Sequence, residues 1–504
     1  FGKTPSLYGR GAAHAEIPLG SWHLTGELEL RDQDLADIQA ATGAQALIGL
    51  RQPQRLERAL DPERFPTEWA DDSAGIVPNP GQARLRLELS HSIWGRLGVG
   101  THRAEIADGE VGRYQRELFG PFLDLHTPAG TFQVAAKAFA APGWIDPVDG
   151  IALVPSHEEL WATGGSVYYL GHQDVAEGSE VVRVEVRDGL GGVPLAERHL
   201  VRGRDYEIDY RMGRVLLARP LSFVGGTAVL GADPLTSSPQ NVLVVEYEHD
   251  QFGAVGRPLG GGELSGTLGP VKLSAGGVDE AGPDPYLLLR GRGSVSLGLF
   301  ELMGEYAHSK GLAIQPGDFS VSDDGGLGFL HPSALSGPSA ASGDAWSVRL
   351  KGPGFGEGGF IDASYRSRSA GFSDSAHQDA MDAHQGSVRV QQQFGPVVVN
   401  GLFDDRLGAD PRDPFGTHFV AARTVGGSVG YRTANWELRL EGRDGQLAAS
   451  QDPTNPSLPT LSGGRTSVGL FGRYRLTPWL ALIASHSQVL AQRGSGPGAY
   501  DSTF

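Results

Sequence analysis

The feature that most limits what this chain can become is an apolar-polar alternation of period two, interrupted by connections that are short and long in turn. Trp346, Val348 and Leu350 alternate with Ser347, Arg349 and Lys351; Val388 and Val390 with Ser387, Arg389 and Gln391; Trp436, Leu438 and Leu440 with Glu437, Arg439 and Glu441. Successive side chains of a strand point to opposite sides, so each stretch carries one apolar and one strongly polar face. The joins "FGPV", "RTANWE" and "RLTPWL" are tight turns, whereas about 309–343, 367–386, 405–417 and 445–463 are long and rich in Gly, Ser, Pro and Asp.

That rhythm predicts an all-β protein built on an antiparallel transmembrane β-barrel, with short turns on one side of a membrane and long loops on the other. On this reading Arg349, Lys351, Arg389, Gln391, Glu437, Arg439, Glu441, Arg473 and Arg475 point inward and line a lumen of mixed charge. Tyr365, Phe394, Tyr431, Trp436, Tyr474 and Trp479 stand near strand ends, where a membrane-interface girdle would place them. A large soluble β protein, a propeller or a series of sandwiches, would also alternate. No fixed blade-length repeat with a common motif supports the propeller.

Composition agrees with many strands and many turns. The 504 residues include 74 Gly and 32 Pro but 3 Met and no Cys, with no collagen period. Without cysteine there is no disulfide scaffold, thiolate metal site or cysteine nucleophile. A net charge of -17 argues against a nucleic-acid partner, since no basic stripe is available for phosphates. No run is long and apolar enough for a membrane helix, which leaves a membrane barrel open. The start at Phe1 is expected of a mature form or a fragment, and "YDSTF" at the end reads as the beginning of a further strand of a barrel continuing past Phe504.

Four regions succeed one another along the chain. Residues 1–60 are a mixed segment, with a strand through Trp22, Leu24, Leu28 and Leu30 and two short helices predicted at "DLADIQAATGAQAL" and "RQPQRLERAL". Residues 61–163 are β-rich, opening on a loop and then "ARLRLELS"; their strands could belong to the barrel or to a separate domain. Residues 164–250 predict a small β-sandwich-like module around the hairpin "GRDYEIDYRMGRVLLARPL" and the fully apolar run Val242 to Val245. Residues 258–504 are the barrel strands.

The succession "RFPTEWADDSAG", "RYQRELFG", "ATGGSVYYLGHQDVAEGSEVVRVEVRDG" and "LVRGRDYEIDYRMGRVLLARPL" resembles a group of large Gram-negative outer-membrane proteins labelled TonB-dependent-receptor-like or OmpA-like. The hairpin alone is also similar to repeats in the giant translocon barrel of the gliding-associated secretion system. The first resemblance covers about residues 60–250 and implies a conserved β-module before or within a large barrel. It implies no catalytic residues.

Candidate chemistry is thin. "GGSVG" at 426–430 has the G-x-S-x-G spacing, yet Ser428 sits in an alternating strand and not at a strand-to-helix elbow. "GFGEGG" at 354–359 matches G-x-G-x-x-G without a helix N-terminus to receive phosphate. His172-Gln173-Asp174 and His249-Asp250 read as loop or strand-end residues, and the carboxylates near Asp323 and Asp404 read as solvated acidic loops. The sequence therefore predicts no enzyme, no cofactor and no metal. Its expected surroundings are outer-membrane lipid and envelope proteins, and its expected work is transport, export or envelope assembly, with the module as plug, gate or docking site. A surface adhesin or structural envelope protein is the alternative.

Overall fold

A computed structural model describes residues 10–31, 85–106, 109–128, 132–141, 151–173, 175–176, 178–187, 196–222, 240–252, 258–282, 284–315, 317–331, 342–354, 358–378, 382–409, 419–450, 462–477 and 480–495. The two predicted helices, the loop after them and Trp479 lie outside these residues. Every regular element among them is a strand.

In chain order the first strands are β1 (Arg10–Leu19), β2 (Trp22–Arg31), β3 (Leu85–His91), β4 (Gly95–Ile106), β5 (Tyr114–His126) and β6 (Phe132–Ala141). A second group comprises β7 (Ile151–Trp161), β8 (Val167–Tyr169), β9 (Val181–Arg187), β10 (Ala196–His199), β11 (Tyr206–Asp209), β12 (Arg214–Leu217) and β13 (Gln240–Phe252). Then come β14 (Leu259–Leu268), β15 (Val271–Glu280), β16 (Tyr286–Leu297), β17 (Phe300–Lys310), the short β18 (Phe319–Ser322), β19 (Ser342–Pro353), β20 (Phe360–Arg368) and β21 (Ala383–Phe394). The last are β22 (Val397–Ala409), β23 (Phe419–Arg432), β24 (Trp436–Ser450), β25 (Ser462–Thr477) and β26 (Leu480–Ser495).

Eighteen strands make one antiparallel sheet in which each pairs with the next, from β1 through β6, across to β14, on to β17, across to β19 and through β26. The strands at 85–141 thus belong to the same sheet as the later ones. Among the described residues no pairing joins β1 to β26.

Several hairpins close on two residues with glycine first and φ positive: Gly20 (71°), Gly269 (55°), Gly298 (66°) and Gly395 (56°). Pro270 and Pro396 fix the second position at negative φ, which is the type II′ pattern whose twist matches that of the flanking strands. All these short turns lie at one end of the sheet. At the other end the strands are joined by longer connections, among them those that follow Ile106, Lys310 and Arg368.

The second group of strands forms a module set between β6 and β14. One sheet has the order β10-β9-β13-β7-β18 and a second the order β11-β12-β8. They enclose a core of Leu160, Tyr168, Val182, Tyr206, Ile208, Val215, Leu217, Leu243, Val245 and Tyr247, a two-sheet packing of the sandwich kind. Gly213, at φ 61°, turns the β11–β12 hairpin so closely against the His172 carbonyl that a Cβ there would meet the oxygen at 2.1 Å.

Two details differ from the sequence reading. The module's sheet begins at Ile151, before residue 164, and it takes in β18 from the connection after β17, pairing it parallel to β7. The module leaves β6 at the end of the long connections, opposite the short turns. The reason is direction: β6 runs away from the short-turn end, so the chain beyond Ala141 emerges at the opposite one.

Candidate functional site

The two faces of the eighteen-stranded sheet are told apart by what lies against them. On one face Leu264, Leu273, Leu289, Val429, Leu438 and Leu440 are all about half exposed or more among the described residues. On the other face the connections fold back onto the strands. Gly112 and Arg113 donate backbone N–H groups to Asp374 Oδ2 at 2.9 and 3.3 Å, and Glu110 and Val111 donate theirs to Glu305 at 2.7 and 3.2 Å. The Tyr286 hydroxyl donates to the Ser373 carbonyl at 3.0 Å, and Ala313 N to Ser373 Oγ at 3.0 Å.

At the long-connection end this inner face is apolar. Ile106, Tyr114, Leu118, Phe139, Leu259, Val278, Leu288, Ala307 and Ala345 point to it, and Val111 and Phe372 from the folded-back connections complete a dry cluster. Asp374 is fully buried and also accepts from the N–H groups of Ala376 and His377 at 2.9 and 2.7 Å. Burial would raise its carboxyl, but His377 and these amides outweigh that and hold it down at about 2.

All nine polar residues singled out from sequence share the inner register face. Arg349 is brought against Asp362 at 2.6 Å and Glu110 at 2.9 Å, and Lys351 stands opposite Asp362. Arg389 also stands opposite Asp362, and Gln391 donates to the Gly358 carbonyl at 3.4 Å. Glu437 pairs with Arg439 at 3.3 Å and lies opposite Arg473, while the Arg439 guanidinium covers the Phe471 ring at 5.3 Å. Glu441 is buried opposite Ser428, and Arg475 stands opposite Ala481 at the short-turn end.

The aromatic residues take the other face. Phe394, Tyr431 and Trp436 are about half exposed beside short turns, and Tyr474 packs on Trp436 with centroids 4.4 Å apart. Tyr365 packs on Trp346 at 5.1 Å, toward the other end of its strand.

The module docks through buried charge. Arg116, on the inner face of β5, donates to Glu248 of β13 at 2.9 Å and to Glu280 of β15 at 3.4 Å. Arg103 reaches the Gly178 carbonyl at 3.0 Å, and Arg113 lies 3.9 Å from Glu197. Across the outer face of the five-stranded sheet runs an ion-pair ladder: Glu159–Arg187 at 2.6 Å, Arg187–Glu185 at 2.7 Å, Glu185–Arg183 at 2.9 Å and Arg183–Glu246 at 2.6 Å. Burial works against each charge there, yet Arg187 and Arg183 hold Glu185 at about 2, and Glu159 and Glu246 raise His157.

The remaining motifs resolve locally. Ser428 accepts from Asn400 Nδ2 at 3.0 Å within a strand pair, and Gly358 and Gly359 belong to the connection before β20. Asp324 closes its own turn by accepting from the N–H groups of Leu327 and Gly328 at 2.9 and 3.0 Å, and Asp405 pairs with Arg423 at 3.1 Å. His172 and His249, read from sequence as loop or strand-end residues, stack with ring centroids 3.8 Å apart. Sequence reasoning missed Glu110, Arg116, Glu248, Glu305 and Asp374. Glu305 carried one signal, since it alternates with Gly304 and Tyr306 as the residues expected to line a lumen do with their neighbours.

No family description matches this chain, and no curated protein does. Solved structures similar to it include the PapC usher translocation pore, at 10% identity over 96% of this chain and 94% of that one with a TM-score of 0.24. A second structure, of the P pilus usher pore, covers 82% of this chain and 95% of that one at 10% identity and a TM-score of 0.23. Likeness at that level carries no argument about this chain, whose reading rests on register, burial and contacts.

Proposed function

We propose that this chain is an outer-membrane β-barrel protein of transport, export or envelope assembly, with the module of β7 to β13 as plug or gate at the long-connection mouth. The observation that supports it most is the division of one sheet into an exposed apolar face and a polar face that encloses its own connections. A soluble protein seldom exposes so broad an apolar surface, whereas lipid covers it without cost. The gate reading is supported by Arg116 of the large sheet, which binds Glu280 of that sheet and Glu248 of the module together.

The nine inner residues then line the passage and the aromatics beside short turns mark one membrane interface. No chemistry is proposed for the passage. The test is membrane fractionation, a heat-dependent gel shift, and planar-bilayer recording. Outer-membrane partition with conductance that rises in Arg116→Ala supports the gate. A soluble protein with no shift removes the barrel; a barrel silent in both forms that binds cells favours the adhesin.

A further inference from the structure

We infer that His172, His249 and Asp318 form a binding site for a borderline divalent cation of the Zn2+ class, clasping the module to the connection that comes after β17. His172 comes from the loop after β8, His249 from β13, and Asp318 immediately precedes β18. Their ligand atoms lie within 4.8 Å of one another. Asp318 Oδ1 is 3.3 Å from His172 Nε2 and 3.8 Å from His249 Nε2. Nitrogen and oxygen atoms held at about 2.0–2.1 Å by tetrahedral zinc stand about 3.3 Å apart, so the spacing suits the ion once the two imidazoles, stacked at 3.8 Å, tilt to bring both Nε2 lone pairs onto it.

The surroundings are those that metal-binding imidazoles need. Each ring has its Nδ1 engaged: His172 with the Tyr247 hydroxyl at 2.8 Å, His249 with Ser156 Oγ at 3.0 Å. Fixing Nδ1 sets the tautomer and leaves both Nε2 atoms directed to Asp318. Asp318 is itself held where its carbonyl accepts from His157 N at 2.9 Å.

Charge points the same way. Glu158, fully buried and 3.7 Å from His172 Nδ1, adds a second carboxylate beside Asp318, and its Oε2 has no hydrogen-bond partner among the described residues. Two buried carboxylates next to two imidazoles call for about two positive charges, which one divalent cation supplies. His172 is the only partly exposed member, so the fourth position opens to water.

The clasping role rests on the plug reading above, and the site does not. The test begins with the purified full chain in detergent, stripped with chelator and titrated with Zn2+ alone, bound metal being measured directly. About one Zn2+ per chain is expected, weakened at least about 100-fold by His249→Ala or Asp318→Asn and about 10- to 100-fold by Ser156→Ala. Asp318→Asn keeps shape and volume, so it still decides the matter should His249→Ala fail to fold; the heat-dependent gel shift reports folding in each case. Binding that survives His172→Ala with His249→Ala, or no binding by the wild type, overturns the site. Zn2+ should also slow proteolysis within 317–331, and unchanged cleavage with metal bound overturns the clasp alone. Zn2+ bound to a chain that never conducts overturns the gate and leaves the site standing.

Discussion

The strands from β4 to β19 and those from β20 onward, with β1 to β3, use the same alternation to opposite ends. In the first set the inner face carries Tyr286, Leu288, Ala307 and Ala345 toward the long connections, and those connections fold in to cover them. In the second set the buried inner side chains among the described residues are Gln385, Ser387, Thr424, Ser428, Glu441 and Ala422, and the described parts of its connections give Phe372 to the dry cluster. Period two decides which side a residue faces. Whether that side is filled or wet depends on residues in loops, which obey no period.

The largest effect is expected at Asp374. Asp374→Ala leaves four backbone donors of the filled half unpaired and should cost about 3–5 kcal/mol, read as a lower temperature for the heat-dependent gel shift and a higher conductance. The same loss from a loop position facing the open half would remove the distinction.

Substitution on the outer face should ignore the division. Leu289→Arg in the filled half and Leu440→Arg in the open half should each cost about 2–4 kcal/mol at mid-depth, less near an interface, by denaturant titration in lipid. Unequal costs at matched depth would mean that one of the two faces something other than lipid.

Acid separates the halves again. Asp374 and Glu185 are each held at about 2 in the folded protein, below their ordinary values of 3.8 and 4.5. A depressed carboxyl stabilises above its unfolded value, and that stabilisation is lost as pH falls through the folded one. The filled half and its module should therefore loosen between about pH 4.5 and 2, seen as faster proteolysis of the module while the gel shift of the barrel persists. Joint loss of both signals would make the two halves one cooperative unit.

The smallest effect is expected at Glu437, which pairs with Arg439 in the open half. Glu437→Gln should change stability by less than about 1 kcal/mol and shift ion selectivity toward anions. Unchanged selectivity would place the conducting path elsewhere.

The strands themselves were legible because alternation is local: Trp346 to Lys351, Val388 to Gln391 and Trp436 to Glu441 take the faces their spacing requires. The hairpin at 206–217 was legible for the same reason. The part that sequence could not show is long-range. Nothing in "FSVS" announces a parallel partner for β7, because four residues in a polar connection carry no directional signal. Phe372 gave only the hint of one aromatic in a polar loop. His172, His249 and Asp318 meet only because that parallel strand brings the third to the first two.

The borrowed strand also imposes a sequence of events. A chain emerging from its N-terminus offers β7, β9 and β13 long before β18 exists, and until then the β7 edge presents unpaired N–H and C=O groups. β14 to β17 must be made first, so the module is finished only when the wall beside it has been delivered. Its last edge is closed by the part of the molecule it covers, and completion of one reports completion of the other.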